Sequence, residues 1–575
     1  MPYRASVEDY IFIFNNIIGF GALAETECFA EATPDMVSAI LTEAGRMCEE
    51  VLYPLQRGGD LEPARLENGV VRTSPGYGEG YRAIADGGWV SISASPEFGG
   101  MGLPVTVTGA VNEMMSAACL SLQLNPLMTQ GQIEALDHHA SDAIKAIYLP
   151  RLISGEWAGT MNLTEAQAGS DVGALKSRAE DNGDGTYAIT GQKIFISWGD
   201  NDFTGNVCHL VLARLPGGKP GTKGISLFLV PKYIPDADGN PGRANSLGVV
   251  SLEHKLGLHG SPTAVMQYDG ATGWMIGAPH DGMRAMFTMM NNARLGVGGQ
   301  GIGAAEGAYQ HALAYAMERK QGRSPAGGGT GTIIDHADVR RMLATMRADI
   351  FAARTMALSC AMATDMAQAT GDEEWSARAA LLTPIVKAFG TGTGMRVSDM
   401  GIQVHGGMGF IEETGAAQYF RDVRVTAIYE GTNGIQSMDL VGRKLMDEGR
   451  AAHALLDEIE AKAEEARGSL PDLADLAEPV WQASETLREA LEWMLARGNM
   501  NDRFAGSEPF LNGFARVLGG HYHLSAAMAE RGNGPRSRLA RFYITRMLPE
   551  HAGLLAHATA GADGLYALTP DDLAL

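Results

Sequence analysis

One carboxylate in this chain stands in surroundings that suit proton abstraction from carbon. The run AIYEGTNGIQ (427–436) sets Glu430 between apolar residues and Gly431, shortly after Arg421 and Asp422. Apolar neighbours desolvate a carboxylate and raise its pKa, which is what a base acting on a carbon acid needs. A lone glutamate is more often simply solvated. Three further segments have ligand-binding chemistry. LTEAQAGSD (163–171) offers a hydroxyl at Thr164 and a Gly169-Ser170-Asp171 turn, whose hydroxyl and free N–H groups suit a ring edge or a phosphate. Read alone it fits a plain solvent loop slightly better. GQKIFISWG (191–199) places Phe195 and Ser197 two residues apart, on one face of a strand. A flat heteroaromatic ring needs that pairing of stacking area and orienting hydroxyl; a core Phe with a structural Ser is the alternative. QVHGGMGF (403–410) clusters glycines after a long helical pattern, so a backbone can approach a ligand closely, or the helix is simply capped there.

Other features narrow the field. GVGGQG (296–301) matches the GxGxxG pattern, but GMRAMFTMMNNARL before it has helical period and no strand. A dinucleotide fingerprint needs a preceding strand and a βαβ unit, so helix packing through small residues is the better reading. The 575 residues carry a net charge of −22. Such a surface repels phosphate backbones and anionic lipid and argues against nucleic-acid or membrane partners. Five scattered cysteines without a CxxC pair argue for a reducing compartment and against a zinc site. His521 and His523 in GGHYH lack further ligands, and no metal is expected. The N-terminus does not read as a signal peptide, and no run of about 18 apolar residues is present, so the expectation is a cytoplasmic protein.

The elements that must position these residues follow from periodicity. Residues 1–160 read as mainly helical, with helix predicted at 34–57 and through 106–152. KIFIS, HLVLARL and GISLFLVP, bounded by Gly and Pro, predict a compact β unit over 161–280. Helical period returns over 281–450, with Pro384 as an internal disturbance, and a further helical region follows at 451–575. The fold class is mainly α with a central β domain, without the βα alternation of a dinucleotide-binding sheet.

The ordered blocks LTEAQAGSD, GQKIFISWG, HKLGLHGSP, AMERKQGR, QVHGGMGF and IYEGTNGIQ resemble the signature blocks of acyl-CoA dehydrogenases, over about residues 80–445. The resemblance implies an N-terminal helical domain, a β-barrel-like domain and a four-helix domain, with FAD as cofactor. It implies Glu430 as catalytic base. It implies Leu163, Thr164, Gly169, Ser170, Phe195, Ser197 and Thr432 as FAD contacts, with Phe195 in the place of a usual Trp and Ser197 in that of a Thr. Arg319, Gln403, Gly406 and Gly407 match blocks that reach the cofactor of a neighbouring subunit. Ser170, Arg294, Tyr429, Glu430 and Gly431 fall at substrate positions. His259 replaces a common Arg and Gly434 a common Gln, which leaves some phosphate contacts open. An electron-transferring flavoprotein is the implied electron acceptor. The N-terminal segment and about 120 C-terminal residues resemble the long subfamily that includes 3-methylmercaptopropionyl-CoA dehydrogenases, and imply a homodimer. Ordinary medium- or long-chain acyl-CoA dehydrogenation and an acyl-CoA oxidase activity stay open, as does a flavin-free acyl-CoA-binding relative.

Overall fold

The computed structural model describes residues 3–327 and 329–575. The chain divides into two compact units, one of Met1–Ile40 with Val297–Leu575 and one of Leu41–Gly296. Helix α1 (Val7–Asn16) opens the first unit and buries Tyr10, Ile13 and Phe14 at helical spacing.

The second unit is organised around helix α2 (Val105–His139) and a seven-stranded sheet. Almost every side chain of α2 is buried, so it has no polar face. It kinks at Cys119 (φ −157°, ψ 86°) and ends at His139. The helical pattern predicted through residue 152 therefore belongs to two helices, the second being Asp142–Ile153.

The sheet comprises β1 (Trp157–Asn162), β2 (Arg178–Asp181), β3 (Tyr187–Ser197), β4 (Asn206–Arg214), β5 (Ile225–Pro231), β6 (Leu247–Leu252) and β7 (Thr263–Ile276). Its order is β6-β7-β3-β2-β4-β1, and β5 pairs with both β7 and β4. That second pairing closes β7, β3, β2, β4 and β5 into a small barrel without a free edge. Strands β4 and β5 are buried along nearly their whole length, which is why they read as continuous apolar runs. Ile189, Ile196, Val211, Phe228, Val230, Met266 and Tyr268 belong to the core of the sheet.

Helix α3 (Gly282–Glu318) runs 37 residues and carries the GVGGQG motif within it. Its part from Val297 on belongs to the first unit, with α4 (Ala337–Thr370) and α5 (Glu373–His405). A Cβ at Gly298 would lie 3.0 Å from the Val386 carbonyl oxygen, and one at Gly301 would lie 2.5 Å from that of Gly390. The glycines thus permit backbone-to-backbone contact of α3 with α5, as helix packing requires. Pro384 lies buried inside α5 and does not end it, because packing on both sides overrides its propensity.

The C-terminal part of this unit contains α6 (Asn433–Asp439), α7 (Ser507–Ala529) and α8 (Pro535–Arg546). Asp9 of α1 accepts from Arg347, from Arg354 at 3.2 Å and from Arg536 at 2.9 Å, tying α1 to α4 and α8. Arg354 also reaches Glu306 at 2.7 Å, and Arg516 of α7 reaches Asp349 of α4 at 2.5 Å.

Candidate functional site

In the second unit, Leu163 and Thr164 follow directly on β1, and both are half-exposed. Two anchors hold this turn. The Thr164 carbonyl accepts from the Ile194 N–H at 2.9 Å, which sets the turn beside β3. The fully buried Lys193 ammonium donates to the Leu163 carbonyl at 3.0 Å and to Glu165 Oε1 at 2.8 Å. Glu165 also accepts from the Lys176 N–H (2.7 Å), the Ser177 N–H (3.0 Å), the Ser177 hydroxyl (2.7 Å) and the Gln167 amide (2.6 Å). Burial alone would raise its carboxyl, but the Lys193 charge and these donors outweigh it and hold the pKa at about 2. Gly169 and Ser170 lie further along the loop and are exposed.

Strand β3 displays Phe195 through a bulge. The register against β7 slips between Ala264 and Met266, and Phe195 takes φ +60°. A bulge re-aims a side chain, and here it leaves the ring 59% exposed on a strand whose neighbour Ile196 is buried. Ser197 sits half-buried opposite Thr263. Trp198 anchors the end of the strand, with its ring buried and its N–H given to the Ser121 carbonyl at 3.1 Å. Arg294, on the part of α3 within this unit, is buried with its guanidinium 5.9 Å from the Phe287 ring centre. His259 faces Asp60 at 2.8 Å and the Lys255 carbonyl at 3.0 Å.

In the first unit, Tyr429, Glu430, Gly431 and Thr432 share one loop ahead of α6. Glu430 is half-buried at φ +54° and Gly431 follows at φ +82°. The Glu430 carbonyl accepts from the Gln436 amide at 3.2 Å, and the Gly431 carbonyl accepts from Lys387 at 2.7 Å. Thr432 caps α6, its hydroxyl accepting from the Ile435 N–H at 3.2 Å. The Tyr429 hydroxyl donates to Gln300 at 2.5 Å; burial and then the Glu430 charge push its pKa up, so it stays a neutral donor.

Arg319, Gln403, Gly406 and Gly407 form a second cluster in this unit. The Tyr315 and His405 rings stack at 4.5 Å, which joins the ends of α3 and α5. Arg319 lies one turn beyond Tyr315, and Gln403, Gly406 and Gly407 flank His405; all four are exposed. Lys387, at the Glu430 loop, and His405 are 18 positions apart on the same helix. At ~1.5 Å per residue that is about 27 Å. One copy of the chain therefore does not bring this cluster to Glu430.

Sequence reasoning missed Lys193, Glu165, Lys387 and Gln436 as the groups that hold the chemical segments in place. The available signal was a lysine inside an apolar run, IVKAF at α5 and QKIFI at β3. His521 and His523 are buried on α7, where His523 pairs with the Ala348 carbonyl at 3.1 Å and stacks on Tyr543.

The chain is similar to proteins of one family. Family models described as acyl-CoA dehydrogenase N-terminal, middle and C-terminal domains match residues 39–156, 160–271 and 280–446. A model described as acetyl-CoA dehydrogenase C-terminal like matches 455–569. A 3-methylmercaptopropionyl-CoA dehydrogenase of Ruegeria pomeroyi is 45% identical over 519 residues, covering 89% of this chain and 88% of that protein. A broad-specificity linear acyl-CoA dehydrogenase of Mycobacterium tuberculosis is 32% identical over 81% of this chain and 79% of its own length. Among solved structures, Caenorhabditis elegans ACDH-11 in complex with C11-CoA shares the fold, with a TM-score of 0.79, 22% identity, and coverage of 93% of this chain and 91% of that one. On the ordered blocks, the family models matched in succession over residues 39–446 and the 45% identity across 89% of the chain, this chain belongs to the acyl-CoA dehydrogenase family.

Proposed function

We propose that this chain dehydrogenates 3-methylmercaptopropionyl-CoA to methylthioacryloyl-CoA, with Glu430 as the base that removes the α-proton. The observation that carries the base is the Glu430 backbone. A half-buried glutamate in the left-handed region, gripped by side chains from neighbouring elements, is a conformation maintained for what it presents. The substrate rests on the 45% identity to the relative of that name.

FAD is the proposed cofactor, and the residues present fit it. The Phe195 ring is 59% exposed on a bulge, an arrangement that offers a flat ligand a stacking face. Leu163, Thr164, Ser197 and Thr432 would hold it, with Gly169 and Ser170 toward its phosphates. FAD, when bound, supplies the acceptor for the hydride that leaves the β-carbon. Arg319, Gln403, Gly406 and Gly407 lie about 27 Å along α5 from the Glu430 loop. We assign them to the cofactor of a neighbouring copy, in a homodimer.

The protein's own part is geometric and electrostatic. A thioester α-hydrogen is a weak acid, so the carboxylate must face Cα while the β-hydrogen departs on the opposite side. The Glu430 N–H is the proposed donor to the thioester oxygen, and a preorganised donor of that kind contributes a few kcal/mol. Neutral Tyr429 and Gly431 border the acyl group. Ser170 and the buried Arg294 are assigned to the CoA moiety. An electron-transferring flavoprotein is the proposed electron acceptor and the cytoplasm the proposed location, in keeping with five free cysteines. Among the described residues no helix is long and apolar enough to cross a membrane.

Two readings compete. The similarity to a broad-specificity linear acyl-CoA dehydrogenase favours straight-chain substrates, and reoxidation by oxygen would make the enzyme an oxidase. Anaerobic titration of the yellow protein with 3-methylmercaptopropionyl-, butyryl-, octanoyl- and palmitoyl-CoA separates the substrates. Fastest bleaching with the methylthio thioester is expected; fastest bleaching with a straight chain would move the function to general β-oxidation. Peroxide formation without an added acceptor would mark an oxidase.

A further inference from the structure

Lys387 has no exposed surface and stands in the middle of a 33-residue helix, in an apolar run. Burying an ammonium in such a place is unfavourable unless its protons find acceptors. Two of its acceptors lie in the loop of the proposed base and at the start of the helix that follows it: the Gly431 carbonyl at 2.7 Å and Oδ1 of Asn433, the first residue of α6, at 3.1 Å. Asn433 is itself held to α5, since its Oδ1 accepts from the Thr391 hydroxyl at 3.0 Å and its amide donates to the Ala388 carbonyl at 3.2 Å.

The loop needs such a hold. Glu430 and Gly431 are consecutive residues at positive φ, and a glutamate has no intrinsic preference for that region. The Gln436 amide reaches both carbonyls, at 3.2 and 3.4 Å, but it comes from α6, which the same loop leads into. Lys387 is the grip that comes from a long helix 44 positions earlier in the chain.

We infer that Lys387 is a positioning residue: its ammonium fixes the Glu430–Gly431 backbone in the left-handed conformation and so sets where the Glu430 carboxylate stands against the acyl α-carbon. The inference rests on Glu430 being the base. A charge-assisted bond to a carbonyl is stronger than a neutral one, which suits the holding of an unfavourable backbone.

The test isolates proton transfer from oxidation. Acetyl-CoA has α-hydrogens but no β-carbon, so the FAD-loaded enzyme in D2O can exchange its α-protons and cannot oxidise it. Exchange at saturating acetyl-CoA is followed by mass spectrometry in the native protein and in Glu430→Gln, Lys387→Met and Asn433→Ala. A displacement of about 1 Å costs on the order of 100-fold. Lys387→Met is therefore expected to exchange about 100-fold more slowly, and Asn433→Ala about tenfold. FAD content and the dissociation constant for acetyl-CoA should stay within about twofold. A merely structural lysine would change stability or FAD retention and leave exchange per FAD-loaded site near native. Exchange within threefold of native in Lys387→Met overturns the inference. If that variant does not retain FAD, the same threshold applied to Asn433→Ala decides. Native exchange in Glu430→Gln would instead overturn the assignment of the base itself, a separate outcome.

Discussion

Replacing Lys193 by Met removes the cation that neutralises Glu165 and leaves the carboxylate with four neutral donors, the Lys176 and Ser177 N–H groups, the Ser177 hydroxyl and the Gln167 amide. Lys193 has no exposed side-chain surface and Glu165 only 5%, so water cannot take over. Breaking a buried pair by removing one partner costs about 3–5 kcal/mol. The pair also sets the acid dependence of stability. The Glu165 carboxyl lies at about 2 against an ordinary 4.5. That difference alone corresponds to about 3 kcal/mol at neutral pH, and it is set against an opposite contribution from Lys193, whose ammonium burial pulls down to about 8. The sign follows from the depressed folded-state pKa: the contribution is complete above the unfolded value of 4.5 and is lost as pH falls toward 2. About 2 kcal/mol of it should be gone by pH 3. The assay is urea unfolding followed by circular dichroism and Trp fluorescence, at pH 7 and across the acid range, for the native protein, Lys193→Met and the double variant Lys193→Met/Glu165→Leu. The expected result is a loss of about 3–5 kcal/mol in the single variant, partly recovered in the double one, since Leu removes the uncompensated charge but leaves the Lys176 and Ser177 donors without that acceptor. A single-variant loss under 1 kcal/mol, or an acid dependence unchanged from the native protein, would refute the reasoning.

Two further perturbations test the architecture. Asp9→Ala leaves Arg347, Arg354 and Arg536 without their shared carboxylate and should cost about 3–5 kcal/mol. The expected signs are a lowered Tm and faster proteolysis within the first forty residues; native protease resistance would contradict the anchoring role. Gly301→Val places a Cβ 2.5 Å from the Gly390 carbonyl oxygen. Forcing α3 from α5 should cost about 1–3 kcal/mol, read as a lower thermal midpoint, and an unchanged midpoint would contradict the close helix contact.

The chemical segments were legible because each is local. A glutamate before glycine, a hydroxyl before a Gly-Ser turn and a strand ending in Phe-Ile-Ser can be read within ten residues. The succession of helices, β unit and helices followed from period alone, and the helical context of GVGGQG was enough to set aside a dinucleotide site. Long-range features were not legible. Lys387 meets Gly431 across 44 positions and Lys193 meets Glu165 across 28, and such pairings have no period. The bulge that exposes Phe195 depends on slippage against β7, about 70 residues on, in the register rather than in the strand's own residues. The tie of α1 to the chain from Val297 onward includes the charge of Asp9, which in sequence resembles any acidic residue in a helix's first turn.

Glu430 is proposed to take the α-proton. The most direct measurement is anaerobic stopped-flow mixing of 3-methylmercaptopropionyl-CoA with the FAD-loaded native protein and with Glu430→Gln. Rapid loss of the yellow colour is expected in the native protein. In the variant, bound FAD, retained acyl-CoA affinity and bleaching at least about 100-fold slower are expected, at the lower end of the 10²–10⁴ that a positioned base contributes. Bleaching of Glu430→Gln at the native rate would contradict the assignment.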